Sequence, residues 1–159
     1  MAKLKVDIAV PTDREDGCEL ARSVHEEGIF ASIPFSEAKF YKYFDNTIEE
    51  PDKFLALKAT LDDKLVGFAY CYVGGYFIGS DATVVTVNTI CVDKSVRSGI
   101  LGGKVAVRLV RGIEVWAKSR GAQLILYHVT SGRGVSGIDK FFRKMGMTTL
   151  GGNYGVKLE

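Results

Sequence analysis

Asn88-Thr89-Ile90-Cys91-Val92-Asp93-Lys94-Ser95-Val96-Arg97-Ser98-Gly99-Ile100-Leu101-Gly102-Gly103-Lys104 is the stretch from which the rest of this chain is best read. Its first part is β-branched and apolar and ends at Val92. A polar, glycine-bearing segment follows, and helical periodicity sets in near Gly103. A strand therefore runs through a glycine-rich turn into a long helix. Backbone N–H groups and a helix N-terminus converge there, an arrangement suited to holding phosphate.

Downstream, Val105, Leu109, Ile113 and Trp116 recur at i, i+4, i+8 and i+11, while Lys104, Arg108, Arg111, Glu114 and Lys118 take the opposite side. This predicts an amphipathic helix from Gly103 to Ser119, closed by Gly121. Gln123 to Val129 reads as a strand parallel to the one ending at Val92, because a whole helix separates them. A helix over Val135 to Lys144 stops at Gly146, and Gly152 to Leu158 reads as a final strand.

Upstream, Lys3 to Val10 alternates as a half-buried first strand ended by Pro11. Thr12 with Glu15 forms a capping-box pattern for a helix whose inward residues are Cys18, Leu20, Ala21 and Val24, stopping at Gly28. A second helix begins at Ser36 and packs Phe40, Tyr43 and Phe44. Phe54 to Thr60 and Leu65 to Val73 form a hairpin around Leu61-Asp62-Asp63-Lys64, followed by a long strand from Ala82 to Val92. The first half of the sheet is thus mostly antiparallel.

The 159 residues suffice for one core, and 47% hydrophobic with 25% charged residues is an ordinary globular balance. Lys and Arg number 21 against 19 Asp and Glu, which gives no reason to expect nucleic acid as the main partner. Apolar runs such as Ala82 to Val87 fall well short of the roughly 20 residues that cross a bilayer. Met1 to Lys5 has no apolar signal core, so the expected location is cytoplasmic, with no membrane partner. Cys18, Cys71 and Cys91 show no C-x-x-C spacing and have only His25 and His128 for company, so no metal site is expected. Cys91, inside a valine-rich strand, reads as a small buried apolar residue.

Spacing sorts the glycine turn. A P-loop needs Gly-x-x-x-x-Gly-Lys-Ser/Thr, but Ser98 stands where the first glycine belongs and Val105 where the magnesium-binding hydroxyl belongs. A dinucleotide fingerprint needs Gly-x-Gly-x-x-Gly in an early βαβ unit, which Gly99, Gly102 and Gly103 do not supply. Coenzyme A remains. Its pyrophosphate needs N–H donors at a helix start, and its pantetheine amides can pair with a strand edge exposed where two parallel strands part.

At these residues the chain resembles the GNAT superfamily of acetyl-coenzyme-A-dependent N-acetyltransferases. In that family a strand ending in Leu/Ile-x-Val leads into Arg/Gln-x-x-Gly-x-Gly/Ala and a long helix; Ile90-Cys91-Val92 and Arg97-x-x-Ile100-x-Gly102 stand at that spacing. The family's later Tyr-x-Lys-Leu-Gly-Phe appears as Phe142-Arg143-Lys144-Met145-Gly146-Met147. Gly28-Ile29-Phe30, Ile33-Pro34-Phe35-Ser36-Glu37, Arg97-Ser98-Gly99, Glu114-Val115-Trp116-Ala117 and Thr130-Ser131-Gly132 resemble members carried on bacteriophage genomes.

The resemblance implies an α/β (α+β) fold in a single N-acetyltransferase-like domain over residues 1–159. Its mixed, mostly antiparallel sheet would have a splayed parallel strand pair and about four helices. It implies acetyl-coenzyme A as co-substrate and direct transfer to a primary amine, either a small molecule or a protein amino group. The cofactor segment would be the strand end Ile90, Cys91 and Val92, the turn Arg97, Ser98, Gly99, Ile100, Leu101, Gly102, Gly103 and Lys104, and Phe142. Within it, the backbone of Ile90 and Val92 would pair with pantetheine. The N–H groups from Ser98 to Gly103 would cradle the pyrophosphate with Arg97 adding charge, and Lys104 either reaches a phosphate or is solvated surface.

Two departures stand out. Ile100 puts a side chain where the family has glycine, which implies weaker coenzyme binding. Phe142 replaces the tyrosine that protonates the departing thiolate in many members and has no proton to give. The strand also lacks the family's carboxylate, offering only Thr86, Asn88 and Thr89. Candidates for the base are then His25, Glu26, Glu27 and His128, with Tyr154 as a possible phenol; each has an ordinary structural reading beside the catalytic one. Phe30, Ile33, Phe35 and Tyr76 suggest an apolar acceptor lining. The alternative function is a catalytically silent coenzyme-A-binding module, such as a phage accessory or virion-associated protein. An exposed C-terminal strand edge would suit a homodimer.

Overall fold

The computed structural model describes residues 1–158 and is built on one five-stranded sheet in the order β1-β2-β3-β4-β5. The strands are β1 (Leu4–Ile8), β2 (Phe54–Leu61), β3 (Lys64–Gly75), β4 (Thr83–Val92) and β5 (Leu124–Tyr127). The first four pair antiparallel and β5 runs parallel to β4. Five α-helices accompany them: α1 (Arg14–Glu27), α2 (Glu37–Glu49), α3 (Lys94–Arg97), α4 (Ile100–Ser119) and α5 (Val135–Lys144). The one-turn α3 is the addition to the expected set.

The β2–β3 hairpin closes through Asp62 and Asp63, both at positive φ (49° and 67°), the conformation a tight two-residue turn needs. α1 starts differently from the Thr12/Glu15 expectation. Pro11–Asp13 form a 3-10 turn, and the Asp13 carboxylate accepts from the Val10 N–H at 2.7 Å and from Lys58 Nζ at 2.8 Å. α2 begins one residue after the expected Ser36, which instead caps it, Ser36 Oγ accepting from the Lys39 N–H at 3.3 Å.

Two apolar layers sandwich the sheet. On one face Leu55, Leu57, Val85 and Val87 meet the α4 stripe of Val105, Leu109, Ile113 and Trp116, all buried. Leu109 is fully enclosed, so Leu109→Ala would cost roughly 2–5 kcal/mol. On the other face Ala56, Phe68, Tyr70 and Cys91 meet Leu20 of α1 and Phe44 of α2.

The final strand expected at Gly152 to Leu158 is absent: residues 148–158 carry no strand. Tyr154, Val156 and Leu158 alternate as a strand would, but all three are exposed and no neighbouring edge takes up their hydrogen bonds. Gly151, Gly152 and Gly155 weaken the segment further. Among the described residues no helix is long and apolar enough to cross a membrane.

Candidate active site

β4 and β5 pair only from Val84↔Leu124 to Val87↔Tyr127, and beyond that the two strands part. The last contact is the His128 N–H donating to the Val87 carbonyl at 3.3 Å, so Val87 faces β5. Asp93, an even number of residues further on, donates instead toward β3, to the Val66 carbonyl at 2.8 Å. Regular alternation would put both on one side. The difference is absorbed by a bulge: Cys71 pairs with Val87 but Tyr70 pairs with Thr89, leaving Asn88 extra.

The bulge has a direct consequence for β4. With Asp93 facing β3, Cys91 and Thr89 share that direction, while Ile90 and Val92 turn their N–H and C=O groups to the open side. An unpaired strand edge is thereby aimed into the gap, at the two residues singled out in the sequence.

The edge leads into the turn. Asp93 caps α3, its Oδ1 accepting from the Ser95 N–H at 2.8 Å, and these hydrogen bonds hold the Asp93 carboxyl below its usual range. α4 then begins after Gly99, three residues earlier than the periodicity indicates. The Gly99 N–H returns to the Val96 carbonyl at 3.3 Å, and the Gly103 N–H bonds weakly to the Gly99 carbonyl at 3.4 Å. The N–H groups of Ile100, Leu101 and Gly102 have no backbone acceptor among the described residues, as the first turn of a helix requires.

Gly102 makes this compact geometry possible. A Cβ there would lie 2.5 Å from the Val96 carbonyl oxygen and 2.6 Å from Arg97 Cα, so only glycine lets α4 cross α3. A Cβ on Gly103 would meet nothing within 4 Å. Ile100, the departure from the family pattern, is 84% exposed and outside the cavity wall, so its side chain does not fill the turn.

A cavity of about 1390 Å³ passes through the gap between the strands. Of the predicted cofactor residues, Ile90, Cys91, Val92, Arg97, Gly102, Gly103 and Phe142 line it; Ser98, Gly99, Ile100, Leu101 and Lys104 do not. Cys91 is buried, its Sγ 3.2 Å from Thr89 Oγ1, and burial pushes its thiol up, so it is core and not a nucleophile.

The base candidates divide. Glu27, His25 and His128 line the cavity, whereas Glu26 does not. Glu27 accepts from Arg97 Nη2 at 2.6 Å, and His25 Nε2 sits 2.6 Å from the Ile33 carbonyl, tying down the α1–α2 loop. Tyr154, expected near the acceptor end, is 97% exposed in the tail and away from the cavity. Phe30 and Phe35 line the wall as expected, but Ile33 does not. Neither does Tyr76, which is carried past the sheet in the β3–β4 connection.

Several lining residues escaped the sequence reading. Phe54, Tyr70 and Tyr72, with Tyr43 of α2, form an aromatic wall: Tyr43–Tyr70, Phe54–Tyr70 and Phe54–Tyr72 ring centroids are 5.8, 6.3 and 6.4 Å apart. The available signal is the period-2 run Phe68, Tyr70, Tyr72, which puts three rings on one sheet face. Ile29 also closes one side of the site. Its N–H reaches the Ser131 carbonyl at 3.4 Å, and its side chain occupies the space a Cβ on Gly132 (φ +67°) would need.

A model of the acetyltransferase (GNAT) family matches residues 19–147. The chain belongs to the GNAT acetyltransferase family. GNAT acetyltransferases draw the acetyl group from acetyl-coenzyme A, and this chain is an acyltransferase of that kind by membership. The GNAT fold is matched over nearly the whole chain by solved structures. One is AAC(6')-Iy in complex with the bisubstrate analog CoA-S-monomethyl-acetylneamine, with TM-score 0.76, 16% identity and 99% of each chain covered. Another is the aminoglycoside antibiotic 6'-N-acetyltransferase AAC(6')-IG from Acinetobacter haemolyticus, with TM-score 0.71, 19% identity and 98% of each chain covered. A third is glucosamine-6-phosphate N-acetyltransferase from Arabidopsis thaliana, with TM-score 0.69, 16% identity and 99% of each chain covered. No curated protein sequence matches this GNAT chain.

Proposed function

We propose that residues 1–159 form one domain that passes an acetyl group directly from acetyl-coenzyme A to a primary amine. The observation that carries this is the open β4 edge at Ile90 and Val92 running into the unpaired N–H groups of Ile100, Leu101 and Gly102. The edge fits the amides of a pantetheine arm, and the helix start fits a pyrophosphate, with Arg97 beside it. The open space at Gly103 fits the same ligand. When bound, acetyl-coenzyme A supplies an activated thioester carbonyl.

The acceptor nitrogen attacks as the free amine. Its ammonium form first gives one proton to a base; then the C–N bond forms as the C–S bond breaks, nitrogen passes its second proton to water and water protonates the thiolate. Of the candidate bases His128 is best placed, since its N–H makes the last β4–β5 contact and it lines the cavity, while Glu27 is held by Arg97. Phe142 donates no proton, so the thiolate takes one from water.

The test is calorimetry with acetyl-coenzyme A followed by thiol release with a panel of amines and lysine peptides. We expect micromolar binding and turnover. Binding without turnover on any acceptor favours the silent module, and absence of heat at millimolar ligand sinks the coenzyme site. The exposed Leu150, Tyr154, Val156 and Leu158, together with the free outer edge of β5, support a homodimer in which tails pair across copies. Sedimentation of the full chain against one truncated after Met147 tests it, and equal masses would exclude it.

A further inference from the structure

We propose that the acceptor is a monoamine carrying a flat aromatic ring, and not a polycationic amine; this rests on the acetyltransferase reading above. Tyr70 and Tyr72 pair with Thr89 and Thr86, so they flank the bulge where β4 and β5 part. Phe54 is stacked on Tyr70 with 20° between planes, and Tyr43 tilts against Tyr70 from α2. These rings line the cavity at the end of the open edge remote from the phosphate turn.

Charge excludes the rival. Among the described residues the cavity wall holds one carboxylate, Glu27, and Arg97 already occupies it. Lys53, Arg97 and Arg133 are the cations on the same wall. A substrate with several ammonium groups would lose hydration there and find no free anion. An aromatic ring instead meets faces and edges it can stack on, a gain that adds to simple burial. The site's positive surplus also favours the neutral form of a single reacting amine, the form that attacks. The reaction remains balanced as written above: the ammonium form gives one proton to the base, and the neutral amine then gains the acetyl group and gives its second proton, through water, to the sulfur.

The experiment compares kcat/KM for 2-phenylethylamine, hexylamine, spermidine and kanamycin at saturating acetyl-coenzyme A, in the intact protein and in Tyr72→Leu. We expect 2-phenylethylamine to exceed spermidine and kanamycin by at least about tenfold and to exceed hexylamine as well. Tyr72→Leu keeps apolar bulk but removes the π face. It should raise KM for 2-phenylethylamine about fivefold more than it raises KM for hexylamine. Equal or better use of spermidine or kanamycin overturns the inference, as does an unchanged KM in Tyr72→Leu. Coenzyme binding with no turnover of 2-phenylethylamine overturns it too. Failure to bind acetyl-coenzyme A overturns the acetyltransferase reading itself, and this inference with it.

Discussion

Arg97 Nη2 donates to Glu27 Oε2 at 2.6 Å, joining the last turn of α1 to the short helix α3 that precedes α4. Both side chains line the cavity. The pair therefore sets how much of the Arg97 charge is free for an incoming anion, and the Glu27 carboxylate itself repels one. Being partly exposed, the pair contributes little to stability, within about 1 kcal/mol. Arg97→Ala should weaken coenzyme A binding about tenfold, and Glu27→Gln should tighten it about twofold to fivefold, with Tm nearly unchanged in both. Calorimetry and thermal melts on the two variants check this. Tighter binding in Arg97→Ala would mean that the arginine serves the ion pair and not the ligand.

The Asp93 cap makes the turn sensitive to acid. Hydrogen bonding to Ser95 holds the Asp93 carboxyl below its ordinary 3.8. The native state thus binds this proton less readily than the unfolded chain. The cap's contribution is fully present above 3.8 and fades as pH falls through the depressed native value. An NMR titration of the Asp93 carboxyl should show a midpoint under 3.8, with faster amide exchange at Ser95 appearing in the same window. Asp93→Ala should reproduce the loosened turn at neutral pH at a cost of about 1 kcal/mol, and Asp93→Asn should keep most of it.

Two adjacent glycines answer to different demands. Gly102 has no room for a Cβ beside Val96 and Arg97, so Gly102→Ala should force α3 and α4 apart and cost roughly 1–3 kcal/mol of stability. Gly103 has open space, so Gly103→Ala should leave stability equal or raise it by up to about 1 kcal/mol through helix propensity. Its methyl would nevertheless stand in the cavity wall at the helix start, and coenzyme A should bind about tenfold more weakly. Melting temperature holds or rises while affinity for coenzyme A falls only if Gly103 faces the ligand.

What the sequence discloses and what it hides have different physical origins. Val105, Leu109, Ile113 and Trp116 declare a buried helical face because periodicity is local, and the hairpin declares itself through Asp62-Asp63. The turn into α4 is also readable, since its glycines and the helix after it are contiguous. The bulge at Asn88 is not, because it exists only in the pairing of β4 with β3. The aromatic wall is hidden for a similar reason, being assembled from α2, β2 and β3. Tyr154, Val156 and Leu158 mislead in the opposite sense: alternation indicates a strand, but the segment does not pair with the free edge of β5, and pairing is something a local pattern cannot report.

Phe142 tests whether thiolate protonation limits the reaction. Its ring lies 4.9 Å from that of Tyr127 and borders the cavity. Tyr127 is a poor substitute for the missing family tyrosine: its hydroxyl is buried without a partner, and burial drives its pKa well above the usual range, so it gives up a proton reluctantly. Phe142→Tyr places a second phenol at the position the family uses, in a half-buried ring that touches the cavity already. If protonation of the sulfur limits turnover, kcat should rise by up to about tenfold while KM for acetyl-coenzyme A stays level. A solvent isotope effect on kcat should fall in parallel, because the added phenol removes the slow proton transfer from water. An unchanged kcat with an unchanged isotope effect would show that protonation of the sulfur does not limit turnover.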